Sequence, residues 1–314
     1  MPIGTVMTDG RAGVTGQDNI QCEWFTGQLV KLKTNGRWYL LGGDQDGRVL
    51  EVLGLNSLNR FAGKLTIIEA EAKAAGDALA DWSAQKAKAQ SLVLARSAND
   101  TPDWTNLRGV TLDVDLKRGF TVKAACTATD LVVRYEVRSP FELVNSTPEL
   151  NMLFKGGNLL DIQLATDPKA DPKRDKPVSG DLRVLVSRRD GKPVAVVYRT
   201  RVADLKGEPV VFTSPTGKEV IDHIEVWNDV KLTYEKTDGG FNATVSLPLG
   251  KLGLTPKPGT TQRLDVGYIF GNETGNTTAT RVYWSNHSFS SGVTQDVPNE
   301  ARLEPAQWGE AVVE

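Results

Sequence analysis

The sequence predicts a mainly β chain: an antiparallel β-sandwich over residues 97–314, a small antiparallel β-meander over 1–66, and a helical connector over 67–96. Three observations carry this prediction. Short runs rich in β-branched and aromatic residues, such as FTVKAAC, DLVVRYEVRS, LLDIQLAT, PVAVVYRTRV and FNATVSLPL, follow one another with no helical periodicity between them. Several of these runs alternate apolar and polar residues, the pattern of strands with one face on a core. Turn-forming pairs, Asp190-Gly191 and Asp238-Gly239, stand where one run ends and the next begins.

In chain order, QLVKLKTNGRWYLLGGDQDGRVLEVLGL at 28–55 reads as three or four strands joined by Asn35-Gly36 and Asp46-Gly47 turns. Both dipeptides suit a type I′ turn, which needs positive φ at both central positions. Asp44-Gln45-Asp46-Gly47 begins like a calcium loop, but no bidentate glutamate follows and the flanks are strands, so a hairpin is the reading. So small a sheet needs a cover for its face. Residues 69–90 turn to alanine, lysine and acids, with Glu69 and Lys73 at i,i+4 spacing, and predict a helix that packs along a narrow stripe of Leu79 and Trp82. SANDTPDW, 97–104, reads as a linker into the strand-rich remainder. No repeat recurs at a constant period, as it would in a whole β-propeller, so the first 65 residues resemble the closing part of a larger β domain.

Composition excludes several classes. The chain has 314 residues, 39% apolar and 24% charged, the balance of a globular protein of about two domains. Lysine and arginine number 37 against 39 acids, a net charge of -2, so no global field draws in nucleic acid. No apolar run approaches the roughly 20 residues of a membrane-spanning helix. The opening MPIGTVMTDGRAG lacks the basic and apolar regions of a secretory signal, which leaves a cytosolic protein or a natural start elsewhere. Cys22 and Cys126 are far apart and outside any C-x-x-C motif, so they are two isolated thiols or one long-range disulfide. Two histidines rule out a three-histidine metal site and leave little material for histidine acid–base catalysis. Nucleophile-elbow, phosphate-loop, dinucleotide and zinc-protease motifs are all missing, and nothing here specifies a reaction.

Two sets of residues remain as candidate sites. The stretch ATDPKADPKRDKPVSGD, 165–181, carries four aspartates interleaved with Lys169, Lys173, Arg174 and Lys176. A calcium cage concentrates carboxylates without such cations, so a solvated turn-rich loop is favoured, and Asp167 and Asp181 are the ligands if it is a metal site. The second set is aromatic, because an exposed aromatic face is a platform for a sugar ring. In TRVYWS, alternation puts Arg281, Tyr283 and Ser285 opposite Val282 and Trp284: either Trp284 packs inward and Arg281 and Tyr283 point out, or the reverse. In HIEVWND it sets Trp227 with Glu225 and Asp229, opposite Ile224 and Val226, which marks Trp227 for exposure.

The segment from about Thr101 to the end resembles the family 9 carbohydrate-binding modules and the related DOMON-like sandwiches of bacterial secreted proteins. The resemblance rests on DLVVRYEVRSPF, FKGGNLLDIQLATDP, GDLRVLVSRRDGKPVAVVYR, GGFNATVSLPLGKLGL and RLDVGYIFGNETGNTTATRVYWSN, covering about two-thirds of the chain. GGDQDGRVLEVLGLNSLNRF in turn resembles the closing segment of a β-propeller-like domain. The resemblance implies a noncatalytic carbohydrate-binding module at the cell surface, in the periplasm or outside the cell, with a carbohydrate ligand and structural calcium in some members. By motif position it implies roles for Asn158 and Asp161, and it offers Trp227 or Trp284, with Tyr283 and Arg281, for a clamp on the sugar. Its alternatives are an accessory domain of a carbohydrate-active enzyme, a structural surface protein, and a haem-binding module with Met152 opposite His223 or Lys155.

Overall fold

The computed structural model describes residues 91–314, apart from 116, 216 and 287–295, together with four short strands nearer the start of the chain. Those four, β1 (Gln28–Lys31), β2 (Trp38–Leu41), β3 (Leu50–Val52) and β4 (Leu65–Ile67), form an antiparallel meander in the order β1-β2-β3-β4. The Asn35-Gly36 and Asp46-Gly47 turns and the helix expected over 69–90 lie outside the described residues. The chain divides into two compact units, 1–89 and 90–314.

The second unit is one 13-stranded sheet that folds onto itself. One half contains β9 (Leu159–Ala165), β10 (Asp181–Arg189), β11 (Lys192–Arg199), β14 (His223–Trp227), β17 (Thr261–Gly271) and β18 (Thr278–Tyr283). The other contains β6 (Val110–Asp113), β7 (Gly119–Cys126), β8 (Asp130–Arg138), β15 (Lys231–Thr237) and β16 (Gly240–Pro248). Two short strands, β5 (Val93–Arg96) and β19 (Gly309–Val313), join the halves along one side. On the other side, β14 and β15 are the two ends of the sheet, yet only residues 228–230 separate them in the chain. The sheet must therefore bend back on itself, and the expected β-sandwich results.

The halves meet through the inward positions of the alternating strands. Leu131, Val133, Tyr135 and Val137 of β8 and Phe241, Ala243, Val245 and Leu247 of β16 share a core with Leu160, Ile162 and Leu164 of β9 and Leu264, Val266, Tyr268 and Phe270 of β17. Aromatic rings cross the interface directly: Phe120 and Tyr268 stand 6.0 Å apart and Phe241 and Tyr268 6.3 Å. Asp190 (φ 50°) and Gly191 (φ 75°) form the two-residue turn between β10 and β11, where Arg189 faces Lys192, as the sequence predicts for a type I′ hairpin.

Three features differ from the sequence expectation. β5 lies within the sheet, so the sheet begins before residue 97. Its pairings with β7 and β19 are parallel; β5 and β19 open and close this unit's sheet, so neither is bound to its neighbour by a hairpin. Alternation also fails in the β9–β10–β11–β17 half: every residue of β9 is buried. Its outer face is covered by a 3₁₀ segment (Leu150–Lys155), by a hairpin of β12 (Val210–Ser214) and β13 (Gly217–Ile221), and by a short helix α2 (Val297–Ala301). Beneath these lies a second core of Leu153, Phe154, Leu185, Tyr198, Phe212 and Ile269. The preceding short helix, α1 (Leu249–Leu252), closes β16.

Candidate functional site

The aromatic candidates fall inside the protein. Trp227 is 5% exposed and belongs to the core between the sheets, whereas Val226 is 37% exposed, the reverse of the predicted faces. The reason is the position of β14 at the end of the sheet: its inward side faces the opposite half, where a large ring removes the most apolar surface from water. The Lys251 ammonium sits 5.1 Å from the Trp227 ring centre and pairs with Asp229 at 2.9 Å. Trp284 packs against the same core, as the inward reading has it, and fits tightly against Gly309, where a Cβ would come within 2.7 Å of the indole.

With Trp284 inward, Arg281 and Tyr283 were expected in solvent; they are 6% and 1% exposed instead. The covered outer face of the sheet explains it, since "outward" here points under the 3₁₀ segment and α2. Tyr283 donates to Asp161 Oδ2 at 2.6 Å. Arg183, which the sequence reading overlooked, grips the same carboxylate through Nε (3.0 and 3.1 Å) and Nη2 (2.6 Å). Its Nη1 donates to the Glu300 carbonyl of α2 at 2.7 Å. Arg281 donates to the Phe154 carbonyl at 2.7 Å and pairs with Glu300 at 3.1 Å, while Lys155 pairs with Glu300 at 2.8 Å. Three cations and two carboxylates thus tie the sheet to the segments above it, and charges this deep persist only when so paired. Burial opposes the Arg183 charge, yet Asp161 and Tyr283 hold its pKa above the usual value; burial and Asp161 push the Tyr283 hydroxyl up as well. The signal in the sequence was the opposite charges set into two apolar runs, LLDIQL and DLRVLV.

Next to this network, Asp265 accepts backbone N–H bonds from Val266 (2.9 Å), Ser285 (3.0 Å) and Asn286 (2.8 Å). Those donors favour the carboxylate, but complete burial outweighs them and pushes its pKa up to about 7. Asn158 is a structural ligand of loops: its side chain accepts from Gly271 N at 3.0 Å and donates to the Asn272 carbonyl at 3.3 Å.

The 165–181 loop resolves in favour of turns. Asp167 and Asp171 each accept the N–H of the residue two places on, at 2.9 Å. Asp181 is buried, ion-paired with Arg174 and bonded to Val178 N at 2.9 Å, so its oxygens are already committed. Among the described residues no group of three or more His, Cys, Asp or Glu is placed to hold a metal ion. Of the haem alternatives, Met152 packs against the outer core, Lys155 is paired with Glu300, and His223 is exposed on β14. Cys126 is a free, buried thiol, and Cys22 lies outside the described residues.

One cleft open to solvent, of about 170 Å³, lies at one end of the sandwich, lined by Ser139, Phe141, Glu142, Tyr234, Lys236 and Phe241 among others. The chain leaving β8 and the tip of the β15–β16 hairpin form it. Tyr234 stacks against Phe241 (5.1 Å between centres) on one side and under the Arg188 guanidinium (4.4 Å) on the other. Glu142 and Lys236 pair at 3.0 Å while staying 53% and 73% exposed. Burial and the Glu142 charge raise the Tyr234 pKa. The cleft thus offers the half-buried Phe141 and the edge of Tyr234, whose faces are covered by Phe241 and Arg188, with one carboxylate and one ammonium converging at its rim.

No family model and no curated protein matches the sequence. Among solved structures, similar folds include a family 9 carbohydrate binding module from Caldicellulosiruptor kristjanssonii in complex with glucose (TM-score 0.42, 10% identity, covering 72% of this chain and 94% of that one). A structure of a family 9 module from the same organism in complex with cellotriose is similar at TM-score 0.41 and 11% identity, covering 71% and 93%. At this distance no residue role transfers from either. The described residues contain no helix long and apolar enough to cross a membrane.

Proposed function

We propose that the 90–314 unit is a noncatalytic carbohydrate-binding module, and that the Phe141–Tyr234 cleft is where the sugar sits. The observation that carries this is the open cleft of about 170 Å³, with Phe141 on its lining and a Glu142–Lys236 pair at the rim able to accept and donate hydrogen bonds to hydroxyls. The clamp residues suggested by the sequence resemblance, Trp227 and Trp284, do not enter this reading, because both pack against the core. A location outside the cytoplasm belongs to the same reading and rests on that resemblance. The glucose and cellotriose of the two solved modules are ligands of those proteins.

The test is calorimetric titration of the full chain with a panel of soluble oligosaccharides. Saturable binding to at least one sugar is expected. Glu142→Gln and Lys236→Ala, at exposed positions that leave the fold intact, each weaken it by roughly tenfold, the value of a charge-assisted hydrogen bond. Silence across the panel, or binding indifferent to both substitutions, rejects the proposal.

A further inference from the structure

A second and larger cavity, about 330 Å³, opens at the other end of the sandwich. The β7–β8 hairpin measures the separation: the sugar cleft lies past the end of β8 at Ser139, and this cavity lies at the turn, Cys126–Ala128. At about 3.3 Å per residue, the nine residues of β8 put roughly 30 Å between them. Its walls carry Leu249, Leu254, Pro256 and Val313 beside the polar Thr127 and Thr255, and Cys126 and Arg96 also line it.

The frame is firmly hydrogen-bonded. Arg96 faces Cys126 in the parallel β5–β7 pairing, and Ser97 N donates to the Cys126 carbonyl at 2.9 Å. Leu249 N donates to the Thr129 carbonyl at 2.8 Å, and Leu254 N closes back on the Leu249 carbonyl at 3.0 Å. Gly259 N holds the Val313 carbonyl at 2.8 Å. The cavity is thus a feature of the ordered sheet and of the α1 cap.

Its charge is one-sided. Arg96 is the single charged residue on the lining, and no ion pair or hydrogen bond engages its side chain among the described residues. Its charge reaches the cavity floor, where it acts on the Cys126 thiol against the effect of burial; burial wins and pushes the thiol up to about 11, so Cys126 is a neutral, apolar wall at physiological pH. Apolar side chains, two threonines and a lone guanidinium complement a molecule with an apolar body and one terminal anion. At roughly 30 Å³ per heavy atom, the space of a water in the liquid, the volume suits about ten such atoms.

We propose that this cavity is a binding site for a small amphipathic carboxylate, an aliphatic acid of about eight carbons, with its chain on Leu249, Leu254, Pro256 and Val313 and its carboxylate on Arg96. The site is independent of the carbohydrate reading and stands or falls without it.

The experiment compares octanoate with octan-1-ol by calorimetry on the full chain, and follows the methyl resonances of Leu249, Leu254 and Val313. Octanoate should bind saturably, shift those methyls, and bind at least about tenfold more tightly than the alcohol. Arg96→Gln, at an exposed position that no side-chain bond among the described residues engages, should keep the melting temperature, bring octanoate down to the level of the alcohol and leave the alcohol unchanged. No saturable heat, methyl shifts elsewhere, or octanoate binding as tight in Arg96→Gln as in the parent protein overturns the proposal.

Discussion

Asp265 shows how one side chain sets a pH dependence. Burial lifts its pKa from the ordinary 3.8 to about 7. Between those values the folded chain holds the proton that the unfolded chain has released, so the contribution of Asp265 to stability is present at acid pH and fades as pH rises from about 4 to about 7. A carboxyl ¹³C titration should give this residue a midpoint near 7, and a midpoint near 4 would show that the three backbone donors outweigh burial. Trp227 makes a second prediction at this scale. Its ring lies between the sheets at 5% exposure, so Trp227→Ala should cost about 3–5 kcal/mol in denaturant unfolding, the range for emptying a buried aromatic site, and should leave the proposed sugar binding of a folded sample unchanged.

At the scale of elements, the register of the β8–β16 pair depends on Gly240. It stands opposite Arg138, and a Cβ there would overlap the Val137 carbonyl oxygen. Gly240→Ala therefore has to push the start of β16 away from β8, next to the cleft residues Ser139 and Phe241. The expected result is a loss of more than about 2 kcal/mol, together with faster amide exchange at Phe241 and Val137, whose backbones face each other. Gly191→Ala is the contrast: the site has free space around it, so only the positive φ of 75° opposes the change, and about 1 kcal/mol is expected in the same assay. The short helix α2 is held by a different means, since its five residues supply little helical stability of their own. Arg183 on its Glu300 carbonyl and Arg281 on the Glu300 carboxylate fasten it to the sheet, and Lys155 on the same carboxylate ties it to the 3₁₀ segment.

For the whole molecule, the division at residue 89 and the closed sandwich after it predict that residues 90–314 fold alone. The first strand of the sheet, β5, begins at Val93, so the fragment must include it; a fragment starting at 97 lacks the strand that links β7 to β19. Calorimetric melting should give the 90–314 fragment one cooperative transition at the temperature seen for this unit in the full chain, and the 97–314 fragment a clearly lower one. Equal melting of the two fragments would show that β5 is dispensable. The same closure places these two cavities at opposite ends of the sandwich, where strand ends and the loops that join them form the walls.

By itself the sequence determined the mainly β class, nearly all the strands after residue 105, the Asp190-Gly191 hairpin and the turn-rich character of 165–181. These are local properties, written in β-branched runs, glycine turns and aspartates that cap the next turn. It also placed Trp284 on an inward face as one of two readings. Only the tertiary structure decided which faces are covered. Alternation names two sides of a strand without saying what lies beyond each, and the cover over β9 and β10 comes from 150–155, 210–221 and 297–301, remote stretches with no periodic relation to those strands. For that reason Arg281, Tyr283 and Asp161, read as binding residues, became a buried ion-pair network with Arg183, and Trp227 went to the core. The cleft followed the same logic, since Phe141, Glu142, Tyr234 and Lys236 converge only because the β15–β16 hairpin and the chain leaving β8 meet at one end of the closed sheet.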